Sequence, residues 1–233
     1  MFDYKLYYWD VPFRGQFVRA ILAYAGKTWE EFDTDAITDL MQTNPDRQPV
    51  PFMGPPVLID TATGFALSQM PAIAVYLGAR HDLIPEAEDL RALTAKVVND
   101  ANDVIDELTL DGGRDMWTPE SWETFQPRLQ RWMLMWEAML THNNAHGQDA
   151  FLLGTYTAGV ADIVTSTLWS TLGDHFPSIG KMLEDVAPRT ARLSKRLQET
   201  PALHALKEAS DRAYGGSYCG GEIEKSLRAV AGG

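Results

Sequence analysis

Positive charge is scarce in this 233-residue chain. Lys and Arg total 20 against 32 Asp and Glu, a formal net charge of −12. No basic stripe exists to neutralise phosphates, so neither nucleic acid nor an anionic membrane is expected as a partner. The acidic surplus also keeps a concentrated protein soluble. Cysteine is nearly absent: Cys219 stands alone. An intramolecular disulfide is excluded, and a cytoplasmic setting is expected. Runs of about 18 apolar residues are missing, so no transmembrane helix is expected. The opening "MFDYKLYYWD" carries early charges and no long apolar run, which does not fit a signal peptide. The five histidines, His81, His142, His146, His175 and His204, lack metal-ligand spacing except for His142 and His146. That pair lies in "THNNAHG", a polar helix end that reads as a surface loop, so no metal is expected. Internal repeats and low-complexity blocks are absent too.

What is present suits a soluble protein of one large or two modest domains: 45% hydrophobic and 22% charged residues. The first 80 residues mix strand and helix signals. "YKLYY" alternates as a strand. "GQFVRAILAYAG" is a helix, apolar over most of its circumference and therefore largely buried, with Gly26 as its stop. "TWEEFD" reads as a second strand, parallel or antiparallel to the first. Thr34 to Gln48 is a short helix and loop. "PVLID" and "FAL" are strands joined by the turn "TATG", and "PAIAVYLGAR" is a helix with Pro71 in its first turn. Residues 81–89, with Pro85, read as a linker. Strand signals vanish beyond it. Helical spacing recurs through "LRALTAKVVNDANDVIDELTL", "PRLQRWMLMWEAMLTHN", "VADIVTSTLWSTLGDHF" and the segments after it, which predicts an all-helical region over residues 90–233. "WMLMWEAML" reads as bundle core. The tail "GGSYCGGEIEKSLRAVAGG" is glycine-flanked and reads as partly mobile.

Five motifs in order carry a family resemblance: "YYWD", "PPVLID", "LSQMPAIAVYLGARHDL", "VVNDANDVIDEL" and "VADI". Together they resemble the cytosolic glutathione transferases of the tyrosine type (mu, alpha, pi and sigma-like), without fixing one class. The resemblance spans nearly the whole chain. It implies an α/β plus all-α fold: a thioredoxin-like glutathione-binding domain at residues 1–80, then the helical domain at 90–233 that contributes the second-substrate site. It also implies detoxification chemistry, with glutathione as co-substrate and a homodimeric assembly.

The chemistry rests on a thiol. A free cysteine-like thiol has a pKa of about 8.5 and is mostly protonated at neutral pH, whereas the thiolate is the nucleophile. Lowering that pKa by about 2 units takes roughly 2.7 kcal/mol. A neutral tyrosine hydroxyl supplies much of this as a charge-assisted hydrogen bond. Tyr7 and Tyr8 are neighbours on a strand and face opposite sides of the sheet. The match to "YWD" selects Tyr8 as thiolate stabiliser and leaves Tyr7 to pack on the other face. Arg14, six residues on, matches an arginine that approaches the thiol in relatives. The alternative is a helix-start arginine meeting solvent or a carboxylate. Arg19 reads as structural, on the polar edge of the buried helix.

For the rest of glutathione, the resemblance implies these contacts. The γ-glutamyl carboxylate meets the helix start at Gln69 and Met70. The cysteinyl backbone pairs with Pro55, before a cis Pro56. The γ-glutamyl ammonium meets Asp100, or Asp103 instead, from a partner subunit. The glycyl carboxylate meets Arg47 in a groove lined by Trp9. Phe13, Leu110, Met116 and Trp117 are candidates for the second-substrate cleft, and Phe52 for insertion into a partner subunit. Two positions depart from the family pattern. Met70 stands where Ser is usual and removes a hydroxyl and a helix cap. Pro55 stands where a non-proline is usual and offers no N–H. Glutathione therefore loses two hydrogen bonds, and its binding is expected to weaken by about tenfold or more. Gly159 replaces the Ser or Thr that usually caps the central helix, which glycine tolerates. Cys219 reads as an inert thiol. The sequence thus supports a glutathione transferase acting on a small apolar electrophile. The rivals are a glutathione-dependent isomerase or peroxidase, or a weakly active binding module on the same fold.

Overall fold

A computed structural model describes residues 1–143, 147 and 150–232. His146 lies outside the described residues. The chain begins β1 (Tyr4–Tyr7), α1 (Phe13–Tyr24), β2 (Trp29–Phe32), α2 (Thr34–Gln42), a 3₁₀ turn (Pro45–Arg47), β3 (Val57–Asp60), β4 (Ala66–Ser68) and α3 (Met70–Arg80). The sheet order is β2-β1-β3-β4. β1 runs parallel to β2 and antiparallel to β3, and β3 is antiparallel to β4. The β1-α1-β2 crossover explains why "TWEEFD" pairs in parallel: α1 carries the chain back to the starting end of the sheet.

The helices that follow are α4 (Glu88–Leu108), the short α5 (Leu110–Gly113), α6 (Pro119–His142), α7 (Val160–His175), α8 (Pro177–Val186), α9 (Pro188–Gln198), α10 (Pro201–Tyr214) and α11 (Gly221–Ala231). No strand occurs among the described residues beyond β4. The thioredoxin-like start and all-helical continuation follow from the switch in apolar period from 2 to 3.6 residues. None of the described helices is long and apolar enough to cross a membrane.

One expectation is corrected. The glycine-flanked tail is a helix, α11, with Ile223, Leu227 and Ala231 buried against the bundle. Its apolar residues recur at i, i+4 and i+8, a pattern masked by the glycines around it.

α7 is the central helix, buried from Val160 to Trp169. Such a helix has no solvent to satisfy its first N–H groups. The Leu83 carbonyl accepts the Val160 N–H at 2.8 Å, and the Asp162 carboxylate accepts from two donors ahead of the helix, the Gly159 N–H at 2.9 Å and the Leu152 N–H at 2.6 Å. Burial raises the Asp162 pKa to about 6, against the pull of those donors and of Arg196. Gly159 also sits where a Cβ would lie 2.7 Å from the Leu83 carbonyl oxygen, so glycine there permits the close approach of the 81–89 segment.

Candidate functional site

Tyr8 is the first residue after β1. Tyr7 pairs with Val57 on β3, and Val57 pairs with Ser68 on β4. One step further along each strand brings Tyr8, Pro56 and Gln69 to the same end of the sheet. The Pro55–Pro56 peptide is cis, and Gln69 has φ 73°, in the left-handed region. Sequence separations of about fifty and sixty residues are thus closed by sheet register.

The Tyr8 side chain is 2% exposed. Its hydroxyl oxygen accepts the Arg14 backbone N–H at 2.9 Å. This N–H belongs to the first turn of α1, where backbone donors lack intrahelical partners. Burial raises the Tyr8 pKa well above its ordinary value, although Arg14 and Arg19 pull the other way. The hydroxyl therefore stays neutral, and its own proton remains available to donate. Tyr7 faces the other side and stacks on Phe32, ring centroids 4.2 Å apart.

Two neighbours hold the Tyr8 ring. A Cβ on Gly15 would lie 2.4 Å from Tyr8 Cδ1, so only glycine permits this contact. The Arg19 guanidinium lies 5.6 Å from the ring centroid. Arg19 is 2% exposed. It pairs with Glu31 at 2.5 Å and donates to the Val11 carbonyl at 3.1 Å and the Pro12 carbonyl at 3.3 Å. It therefore ties down the loop between Tyr8 and α1. The sequence reading placed Arg19 on the polar edge of a helix. An arginine inside an apolar helix signals more than that, because a buried guanidinium requires partners.

Arg14 divides into two parts. Its backbone N–H serves Tyr8, while its guanidinium turns to α4. There Nε donates to Asn102 Oδ1 at 3.3 Å, and the terminal nitrogen forms an ion pair with Asp106. The carboxylate-bound alternative is the one observed. On the same helix Asp100 pairs with Lys96 one turn earlier. Asp103 has its pKa raised, by burial first and then by Asp100, Asp106 and Glu107.

The remaining candidates fall into two groups. Pro55 is half-buried, Gln69 is exposed and Met70 is buried at the start of α3, which has no side-chain cap. Trp9 is half-buried against the core. Arg47 is exposed on its 3₁₀ turn. Phe52 is half-buried, its N–H donating to Gln48 Oε1 at 2.9 Å, beside the fully exposed Met53. Phe13 packs edge-on to Tyr218, centroids 5.5 Å apart, and its N–H donates to the Tyr218 carbonyl at 3.2 Å. Leu110 is half-buried and Met116 is exposed. Trp117 is taken up by the helical core. Its indole donates to the Leu108 carbonyl at 2.9 Å, and its rings pack on Trp122 and Phe125.

The sequence reading missed the segment that closes on this loop. Gly220 lies beside Val11, and the N–H groups of Tyr218, Cys219 and Gly220 all donate to Glu224 Oε2 at 2.9, 2.9 and 2.6 Å. Glu224 is in turn paired with Arg228. Burial, then Glu224, pushes the Cys219 thiol up to about 12, so it stays protonated. Among the described residues, no group of three or more His, Cys, Asp or Glu is arranged to hold a metal ion.

Comparisons with known proteins follow the same lines. Similar folds include a pi-class glutathione S-transferase of Onchocerca volvulus, at 17% identity and TM-score 0.71, covering 91% of this chain and 95% of that one. Monomeric Na-GST-3 of the hookworm Necator americanus matches at 20% identity and TM-score 0.71, over 88% and 96%. Rat hPGDS complexed with a quinoline matches at 22% identity and TM-score 0.67, over 88% and 96%. At these identities the likeness is one of fold. A search of curated proteins gave no match. Residues 93–230 match the family description "Glutathione S-transferase, C-terminal domain", and with that match over more than half its length the chain belongs to the glutathione S-transferase family.

Proposed function

We propose that the protein is a glutathione transferase in which the Tyr8 hydroxyl donates a hydrogen bond to the glutathione thiolate. The observation that carries this reading is the Arg14 N–H to Tyr8 Oη bond at 2.9 Å. It occupies a lone pair of the oxygen and leaves the phenolic proton for sulfur. The start of α1 adds favourable potential for a negative charge. Together these stabilise thiolate over thiol, and attack on a small apolar electrophile follows. Residues 1–80 would hold glutathione, with Pro55 pairing through its carbonyl and Gln69 and Met70 offering the α3 start. The helical residues 90–233 would supply the second site, Phe13 facing it from the opposite side. Arg47 and, from a partner subunit, Asp100 or Asp103 are the proposed contacts for the ends of the tripeptide.

Conjugation of glutathione to 1-chloro-2,4-dinitrobenzene by wild type and Tyr8→Phe tests this. Losing one hydrogen bond to a charged group costs about 1.5–3 kcal/mol, so kcat/KM should fall roughly 10- to 100-fold. Equal rates would contradict the role of Tyr8.

A second reading, a weakly active glutathione-binding module, draws support from Met70, Pro55 and the Lys96–Asp100 pair. All three reduce what is available to hold the tripeptide. Conjugation rate at saturating glutathione separates the two: weak binding is expected on both readings, and the second alone requires little conjugation once glutathione is bound.

A further inference from the structure

Phe13 holds an uncommon backbone conformation. Its φ is 29°, in the left-handed region that bulky side chains rarely occupy. Such a residue persists only where its surroundings over-determine it, and such residues cluster at functional sites. The next N–H in the chain, that of Arg14, is the one that donates to Tyr8 Oη at 2.9 Å. It lies in the rigid peptide plane shared with Phe13, so the backbone angles of Phe13 help to aim it.

Three contacts hold Phe13 there. Its N–H donates to the Tyr218 carbonyl at 3.2 Å, and its ring meets the Tyr218 ring edge-on, centroids 5.5 Å apart. The Arg14 guanidinium lies over the ring at 4.7 Å. Two of the three therefore come from Tyr218, which is 2% exposed and also packs against Phe176.

Tyr218, Cys219 and Gly220 lie between α10 and α11, outside any helix or strand. Their three N–H groups converge on one atom, Glu224 Oε2, at 2.9, 2.9 and 2.6 Å. The other oxygen, Oε1, accepts from Arg228 at 2.9 and 2.7 Å. Arg228 also donates to the carbonyls of His175 and Gly216. Glu224 is 6% exposed. Burial raises its pKa, but the N–H groups of the bend and Arg228 outweigh that and hold it below its ordinary value, so it stays charged. An ordinary cap would serve the N–H groups of the helix itself. This carboxylate serves donors ahead of α11, in the bend that meets Phe13.

We propose that Glu224 is a positioning residue for Tyr8. By gathering the three N–H groups it fixes the Tyr218 carbonyl. That carbonyl holds Phe13 in its left-handed conformation, and Phe13 aims the Arg14 N–H at the Tyr8 hydroxyl. The effect reaches the thiol through the main chain, and it rests on the reading of Tyr8 as donor to the thiolate.

The thiolate absorbance of bound glutathione, titrated against pH in the full-length protein, tests this. Tyr8→Phe sets the largest rise in thiol pKa. Glu224→Ala should raise it in the same direction by about 0.5 unit or more. Glu224→Gln leaves a neutral oxygen in place, and a charge-assisted bond is roughly twice as strong as a neutral one. Its rise should therefore be smaller, and it carries the test if Glu224→Ala does not fold. Urea denaturation of the same proteins separates positioning from mere support of the fold. A wild-type thiol pKa in every folded Glu224 variant, whatever its stability, with Tyr8→Phe raised, would overturn the role of Glu224 alone. A Tyr8→Phe protein at the wild-type pKa would overturn the Tyr8 reading itself, and the role of Glu224 with it.

Discussion

The backbone N–H of Arg14 meets the hydroxyl of Tyr8 at 2.9 Å, while the Arg14 guanidinium points away to Asn102 and Asp106. The residue therefore acts on Tyr8 through its main chain. Arg14→Ala keeps that N–H. Its kcat/KM for conjugation should stay within about threefold of wild type. Loss of the partly exposed ion pair with Asp106 should cost about 0.5–1 kcal/mol of stability, read by urea denaturation. A hundredfold loss of activity would instead assign the guanidinium to the thiol.

Gly15 is held against the Tyr8 ring, and an added methyl would overlap ring carbons at 2.4 and 2.8 Å and Arg19 Nη1 at 2.9 Å. Gly15→Ala must push the ring or α1 aside. Overpacking of this kind costs about 1–3 kcal/mol. Activity should fall at least tenfold with the thermal midpoint lowered, checked by paired kinetics and calorimetry.

Asp162 ties stability to pH. Its pKa is raised from 3.8 to about 6 in the fold. The folded state therefore holds this proton more tightly than the unfolded state. That contribution is fully present below pH 3.8 and is lost as pH rises through about 6, an effect on the order of 3 kcal/mol. Chemical denaturation of wild type and Asp162→Asn between pH 4 and 7 should show the stability difference changing over that window, with wild type losing ground as pH rises. A constant difference would place the Asp162 pKa near its ordinary value.

Much of this was legible in the sequence because it depends on local pattern. Strand alternation in "YKLYY", the buried helix from Phe13 and the Pro-Pro entry to β3 each carry their own signal. Strand period separated Tyr7 and Tyr8 by face, and the match to "YWD" selected Tyr8. The parts that escaped are set by tertiary partners. The direction of the Arg14 guanidinium depends on α4, some ninety residues away. Nothing local to Trp117 records that the Leu108 carbonyl accepts from its indole N–H. The tail looked mobile because its glycines are visible in the sequence. The Glu224 carboxylate that gathers three of its N–H groups becomes visible only once folded.

The proposed assembly is a homodimer. Phe52 is half-buried, and Met53 beside it is 90% exposed. We expect Phe52 at the contact, with Met53 covered beside it. Light scattering should give twice the 26.0 kDa chain mass, and Phe52→Asp should shift it toward the monomer. A monomeric wild type, as described for Na-GST-3, would remove the partner-supplied carboxylate from the proposed site.

The central claim is that Tyr8 holds a thiolate, and the thiolate absorbance of bound glutathione measures this directly. Titrated against pH in wild type, the thiol should ionise about 1–2 units below the free value of about 8.5. In Tyr8→Phe it should return most of the way to that value. An unshifted pKa in wild type, or the same lowered pKa in both proteins, would contradict the account.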